Sequence, residues 1–268
     1  MTHADLTLAA WLDLSDDAAG RVAAVIAAGA GASLAGIAAH EYHGRRGRTA
    51  FFDRDGIRFA LVPGGTARAG YDASRFVPTD RQAADFAKAA AEWGIDVPLG
   101  EYVDRVTSPA REVVLPALLV AVRAEPAESL VSDDSGDDYD WMVAGLASRG
   151  LRPPAPDEWE YACGAGATTL FRWGDDYPEG EPYGDVPLLK APNLFGLVIG
   201  DDPYNSEFTT DPEVLCGGDG GSALCGGSGD FLSWLSLATA FREPELAETV
   251  AEGELTVETP VRPVVPVP

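Results

Sequence analysis

Basic side chains are scarce in this chain: 19 lysines and arginines stand against 43 aspartates and glutamates, a net charge of −24. Affinity for nucleic acid comes mainly from cations that neutralise phosphates, so neither DNA, RNA nor an anionic membrane is an expected partner. Histidine is scarcer still, with only His3, His40 and His43. No Ser-His-Asp set can be assembled from them. His40 and His43 lie one helical turn apart, but the arginines that follow would repel a cation, so a capping or surface role is expected. Cysteine is also rare. Cys163, Cys216 and Cys225 are an odd and low count for 268 residues, which argues against a disulfide framework. Apolar runs of about 18 residues without breakers are absent. The nearest, Val22–Ala39, is mostly alanine and glycine and too weak for a membrane span. No basic start precedes an apolar stretch, so no secretory signal is read and a soluble, cytoplasmic protein is expected.

What is abundant points to a loop-rich globular fold. Hydrophobic residues make up 46% of the chain, enough for a substantial core, and 30 glycines and 20 prolines disfavour a helix bundle. The excess acid fits solubility or adaptation to salt, or else a dedicated basic partner. Glycine-rich stretches such as Cys225–Gly229 lack the lysine and the strand-to-helix context of a phosphate loop.

Along the chain, residues 1–50 read as a helical segment. Ser15-Asp16-Asp17 is a helix start, with acids at the positive end of the dipole. The alanine-rich run Ala18–Ala39 follows it to the basic patch Gly44–Arg48. The period then changes. Thr49–Phe52 and Ile57–Val62 read as strands joined by the hairpin dipeptide Asp55-Gly56, with Thr66–Tyr71 as a further strand. Thr79 and Gln82 form a capping box for a helix that Gly94 ends. Glu112–Val122 reads as one buried strand. Asp133–Asp140 is an acidic loop, either solvated or cation-binding. Helices are expected over Tyr139–Ser148, Asp157–Cys163 and Leu232–Phe241, with irregular chain between the last two. The tail, 243–268, is acidic and proline-rich and reads as extended, against the domain or mobile.

Five segments in order resemble the formylglycine-generating, sulfatase-modifying enzyme family. They are Phe59–Gly65 with Gly70, then Arg152–Ala162 carrying Glu158-Trp159-Glu160-Tyr161-Ala162, then Phe171–Asp175, Asn193–Leu197, and Gly220–Cys225. The resemblance covers roughly 58–242. It implies an α+β, C-type-lectin-related domain over 51–242 with much irregular structure, preceded by the helical segment 1–50 and followed by the tail 243–268. In that setting Trp141, Trp159, Trp173 and Trp234 are expected to pack the core.

The chemistry carries over only in part. The family oxidises a substrate cysteine to formylglycine with oxygen and copper(I), held by two thiolates five residues apart. Here Cys225 matches the first position and Asp230 occupies the second. A hard carboxylate is a poor copper(I) ligand. Copper is therefore not expected unless Cys216 pairs with Cys225, which the intervening glycines permit; the alternative is two unpaired cysteines. Cys163 is expected in the core. The resemblance also offers a calcium set of Asn193, Asp201, Asp202, Asn205 and Glu207. Three readings remain open: a catalytically silent scaffold whose groove binds a small molecule or peptide, an oxidative enzyme with altered chemistry centred on Cys225, and an acidic interaction subunit.

Overall fold

Two adjacent runs, Ile57–Val62 and Leu118–Ala121, are buried along nearly their whole length. Successive strand residues point to opposite faces, so such runs belong in the middle of a sheet covered on both sides. They are the centre of the fold seen in a computed structural model, which describes residues 3–131, 136–242 and 259–268. The described strands are β1 (Ser33–Tyr42), β2 (Arg45–Arg54), β3 (Ile57–Val62), β4 (Gly65–Ala69), β5 (Arg111–Leu115), β6 (Leu118–Ala121), β7 (Glu125–Pro126), β8 (Glu207–Phe208), β9 (Leu215–Cys216), β10 (Pro260–Val261) and β11 (Val264–Pro266). The described α-helices are α1 (Leu8–Leu12), α2 (Asp16–Gly29), α3 (Asp80–Trp93), α4 (Leu99–Arg105), α5 (Ala127–Leu130), α6 (Tyr139–Ser148), α7 (Pro156–Gly164), α8 (Pro187–Lys190), α9 (Ser222–Gly226) and α10 (Asp230–Leu235).

The main sheet runs β1-β2-β3-β6-β11, antiparallel throughout. On one face, Phe52, Phe59, Leu61 and Leu119 pack with Trp11 and with Ala19, Ala23 and Ile26 of α2. On the other, Ala60, Val62, Leu118 and Val120 meet Trp159, Tyr161 and Cys163 of α7 and the Leu194–Leu197 loop. A third cluster gathers Phe86, Phe171, Tyr177, Phe231 and Trp234 around α3 and α10. The fold is thus mixed α+β, with a small sheet β7-β10-β8-β9 and the pair β4-β5 beside the main one.

The N-terminal segment departs from the all-helical expectation. α2 begins as predicted, with Ser15 Oγ accepting from Ala18 N at 3.3 Å. It ends at Gly29, and Gly31 takes a left-handed backbone. The rest of the alanine-rich run becomes β1, paired to β2 through a tight turn at His43 and Gly44, both with positive φ. Local alanine propensity favours helix by tenths of a kcal/mol per residue, roughly, and pairing in a sheet outweighs it. Before residue 51, α2 therefore packs into the core, and β1 and most of β2 belong to the main sheet.

Other expectations were met more closely. The Asp55-Gly56 turn joins β2 to β3. Thr79 and Gln82 close the capping box and Gly94 ends α3 in the left-handed region. Glu112–Val122 is two strands, β5 and β6, because Pro116 cannot donate to a ladder. The expected helix Leu232–Phe241 is α10, which stops at Leu235. Trp159 and Trp234 are buried as expected, while Trp141 and Trp173 are half-buried. Of the tail, residues 259–268 supply β10 and β11; Glu243–Glu258, and Ser132–Ser135 at the acidic loop, lie outside the described residues. Among the described residues no helix is long and apolar enough to cross a membrane.

Candidate functional site

The residues singled out by sequence fall into two groups, those that hold the scaffold and those that face solvent. The Glu158–Tyr161 segment belongs to the first. Pro156 starts α7, where its missing N–H is not needed. Glu158 accepts from Ala155 N and from both terminal nitrogens of Arg152, each at 2.7 Å. Trp159 Nε1 donates to Glu207 at 2.7 Å, and Tyr161 Oη donates to the Pro63 carbonyl at 2.9 Å. Glu160 is buried between cations. Its carboxylate accepts from Ser108 Oγ at 2.7 Å, Gly70 N at 2.5 Å and Arg111 at 3.2 Å, and from Arg242. Gly70 is required there: its φ is +76°, and a Cβ would stand 2.0 Å from the Pro109 carbonyl oxygen.

The five oxygen-bearing residues proposed for calcium are already engaged. Asn193 is buried; its amide nitrogen donates to the Ala162 and Cys163 carbonyls and its oxygen accepts from Phe195 N and Leu197 N. Asp201 pairs with Arg123. Asp202 accepts from Tyr204 N and from Asn205 Nδ2, each at 3.0 Å. Glu207 is held by Arg262 and Trp159. Among the described residues no group of three or more His, Cys, Asp or Glu converges where it could hold a metal. His40 bonds through Nε2 to the Asn193 carbonyl at 2.7 Å, and His43 sits at the hairpin tip against Tyr42.

All three cysteines are free thiols. Cys163 and Cys216 are enclosed in the same apolar cluster, and burial pushes their thiols up from 9.0 to about 11 and about 12. Cys225 is exposed on α9. Cys216 and Cys225 thus sit in different surroundings, one buried and one exposed, and a carboxylate, Asp230, stands five residues beyond Cys225. At pH 8 a chromogenic disulfide reagent is expected to titrate one thiol rapidly in the native chain and three after denaturation. Two fast thiols in the native chain would contradict the burial of Cys216.

Burial also pushes the phenols of Tyr71, Tyr139 and Tyr161 up from 10.0 to about 12. These acids and the two thiols hold their protons more tightly folded than unfolded. Their contribution is complete below the unfolded values and is lost as pH climbs through the folded ones. Urea midpoints are expected to fall progressively from about pH 9 to about pH 12.

The surface around Cys225 is built by glycine-rich turns. Asp219 is buried, and its carboxylate accepts from Gly221 N and Ala223 N at 2.9 Å each, fixing the start of α9. Tyr204 packs against Gly221, where a Cβ would meet its ring at 2.4 Å. Tyr204 and Tyr183 contact edge to face, with centroids 5.8 Å apart. Trp93, the last residue of α3, lies beside Gly226. Trp93 and Tyr183 are 52% and 65% exposed, unusual for side chains whose burial is so favourable. Between α3 and the loop into α10 is a groove of about 200 Å³, lined by Asp85, Lys88, Glu92, Ser228 and Asp230. Asp230 therefore lies on the groove wall, five residues beyond Cys225.

Sequence reasoning missed two features. Trp93 read only as a helix end, and no motif marks it. A second cavity of about 590 Å³ is lined by Arg58, Arg123, Arg149, Ile57, Val122 and Glu125; its arginines are scattered along the chain and leave no local signal. No family model matches the chain, and no curated protein matches it either.

Proposed function

We propose that this chain is a divergent scaffold of the formylglycine-generating-enzyme type that binds a small molecule or peptide on the surface around Cys225, without the copper-dependent oxidation of cysteine. One observation carries the reading: an exposed thiol flanked by solvent-facing Trp93, Tyr183 and Tyr204 opens beside a groove whose wall carries Asp230, the residue that the resemblance sets where the family has its second thiolate. Exposed aromatic rings with a polar groove beside them provide contact area at low entropic cost, the usual make-up of a recognition surface. The motif residues Glu158, Trp159, Glu160, Tyr161 and Asn193 support the scaffold half of the reading, because each is spent on hydrogen bonds that join separate parts of the fold.

The test has two arms. After copper(I) loading and desalting, retained copper is expected to be substoichiometric and unchanged in Cys225→Ala, with no oxygen consumed in the presence of cysteine-bearing peptides. Stoichiometric copper lost in Cys225→Ala would defeat the silent-scaffold reading. In the second arm, a peptide and fragment library is screened by Trp fluorescence. Ligands that change emission in the native chain are expected to lose at least tenfold in affinity with Trp93→Ala, about 1.4 kcal/mol or more. Hits that bind Trp93→Ala equally well would place recognition elsewhere.

A further inference from the structure

Where the two central strands meet the chain beyond them, a cavity of about 590 Å³ opens. Its walls come from the β2–β3 turn, the chain leaving β6, helix α5 and the C-terminal end of α6. Backbone hydrogen bonds hold them in place. Val122 N donates to the Arg58 carbonyl, and the Val122 carbonyl accepts from Val198 N, each at 2.9 Å. The space is therefore framed by strand and helix ends, not by a loose loop.

Three of the chain's 19 basic residues, Arg58, Arg123 and Arg149, line this one cavity. Arg149 is the fixed one. Its Nη1 donates to the Leu130 carbonyl at 2.6 Å and its Nη2 to the Asp55 carbonyl at 3.1 Å, so the guanidinium spans two walls. Both acceptors are neutral, and none of the ion pairs among the described residues includes Arg149. A guanidinium carries five N–H donors, and among the described residues only two of these have an acceptor. Arg58 and Arg123 are paired with Asp53 and Asp201, but both pairs are about half exposed. Such pairs contribute little, so either cation can turn to a better-placed anion at small cost. The lining also holds two acids. Asp55 is engaged by Arg54 at 3.5 Å. Glu125, with Ser129, offers hydrogen-bonding atoms to a donor on a ligand.

We propose that this cavity binds a small organic oxyanion, a carboxylate or phosphate monoester on a partly apolar body, with its head group on Arg149 and with Arg58 and Arg123 turning onto it. The planar fork of arginine suits both head groups. Ile57, Val122 and Leu130 give the body an apolar wall. The volume sets the size of the ligand: it lies in the range of cavities that take drug-sized molecules and far exceeds what a bare inorganic ion fills. The overall field of a chain with net charge −24 repels anions, so capturing one requires a local cluster of this kind. No lining residue is shared with the groove beside Cys225, and the site is separate from the recognition surface proposed there.

The probes are phenyl phosphate, benzoate and phenol, titrated into the full chain at constant ionic strength and followed by calorimetry and methyl NMR. Saturable binding tighter than about 1 mM is expected for at least one of the two anions, with shifts centred on Ile57, Val122 and Leu130. Phenol keeps the body without the head group and is expected not to saturate. Arg149→Met is expected to weaken the anion about tenfold or more, through loss of a charge-assisted contact. Arg58→Gln and Arg123→Gln are each expected to weaken it about two- to fivefold. Arg68→Gln removes the same charge at an exposed position outside the cavity and is expected to change nothing. Arg149 also holds two carbonyls, so if Arg149→Met does not fold, the Arg58 and Arg123 variants decide in its place. No saturation by either anion, phenol bound as tightly as the anions, shifts centred elsewhere, an affinity unchanged in the cavity variants, or an equal loss in Arg68→Gln would each overturn the proposal.

Discussion

Exchanging Arg262 for methionine is expected to destabilise the chain by about 3–5 kcal/mol, the usual cost of leaving one partner of a buried ion pair behind. Arg262 is buried, and every nitrogen of its guanidinium is engaged. Nε and Nη2 donate to Glu207 at 2.8 and 2.6 Å, Nη1 to the Ala121 and Val122 carbonyls at 2.9 Å each, and Nη2 also to the Val198 carbonyl at 3.0 Å. One side chain thus ties the end of β6, the loop after Leu197 and β8 to the tail. Adding Glu207→Leu to the methionine variant is expected to recover part of the loss, since a buried pair replaced by apolar groups is often near neutral. Recovery should stay incomplete, because the three carbonyls lose the guanidinium, although the Val122 carbonyl keeps the Val198 N–H. Urea midpoints of the two single variants and the double variant read this directly. A loss below about 1 kcal/mol for Arg262→Met, in the range of exposed pairs, would mean that the clamp is not formed in solution.

Glu160→Ala is expected to cost a similar amount, about 3–5 kcal/mol, for the opposite reason: it leaves cations, not an anion, without a partner. Arg111 keeps Asp157, but Arg242 loses its only described carboxylate, and Gly70 N and Ser108 Oγ lose their acceptor. Glu160→Gln retains an acceptor oxygen and should cost less than the alanine change. Because Arg242 also ties its backbone N to the Val106 carbonyl, the variant is expected to loosen the segment after α10. Hydrogen exchange at Val106–Ala110 and Thr239–Arg242 is expected to rise well above that of β3 and β6. Unchanged exchange there, with an unaltered urea midpoint, would show that the carboxylate is not the hub of this network.

The contrast between these residues shows what the sequence made legible. The Asp55-Gly56 turn and the Thr79–Gln82 capping box are local chemistry, and local chemistry is written in neighbouring residues. The strand β1 is not. Its Ala-rich sequence is a helix by propensity, and only the partner strand β2 decides otherwise. The motif residues were visible, but their work was not. Glu160 gives no hint in sequence that its partners are Ser108, Arg111 and Arg242, and Asn193 looks like a ligand until its four hydrogen bonds are counted. Arg262 had no signal at all, being a single arginine in a proline-valine tail. At the candidate site, Cys225 and Asp230 could be singled out by spacing. The burial that separates Cys216 from Cys225, and the exposure of Trp93 beside it, follow from tertiary packing alone.

β11 pairs with β6 across 144 positions, Val264 opposite Val120. During synthesis the ribosome therefore exposes the apolar edge Leu118–Ala121 long before the strand that covers it has been translated. A nascent chain therefore passes through a waiting period in which that edge stays open to other strands until Val264–Pro266 emerges.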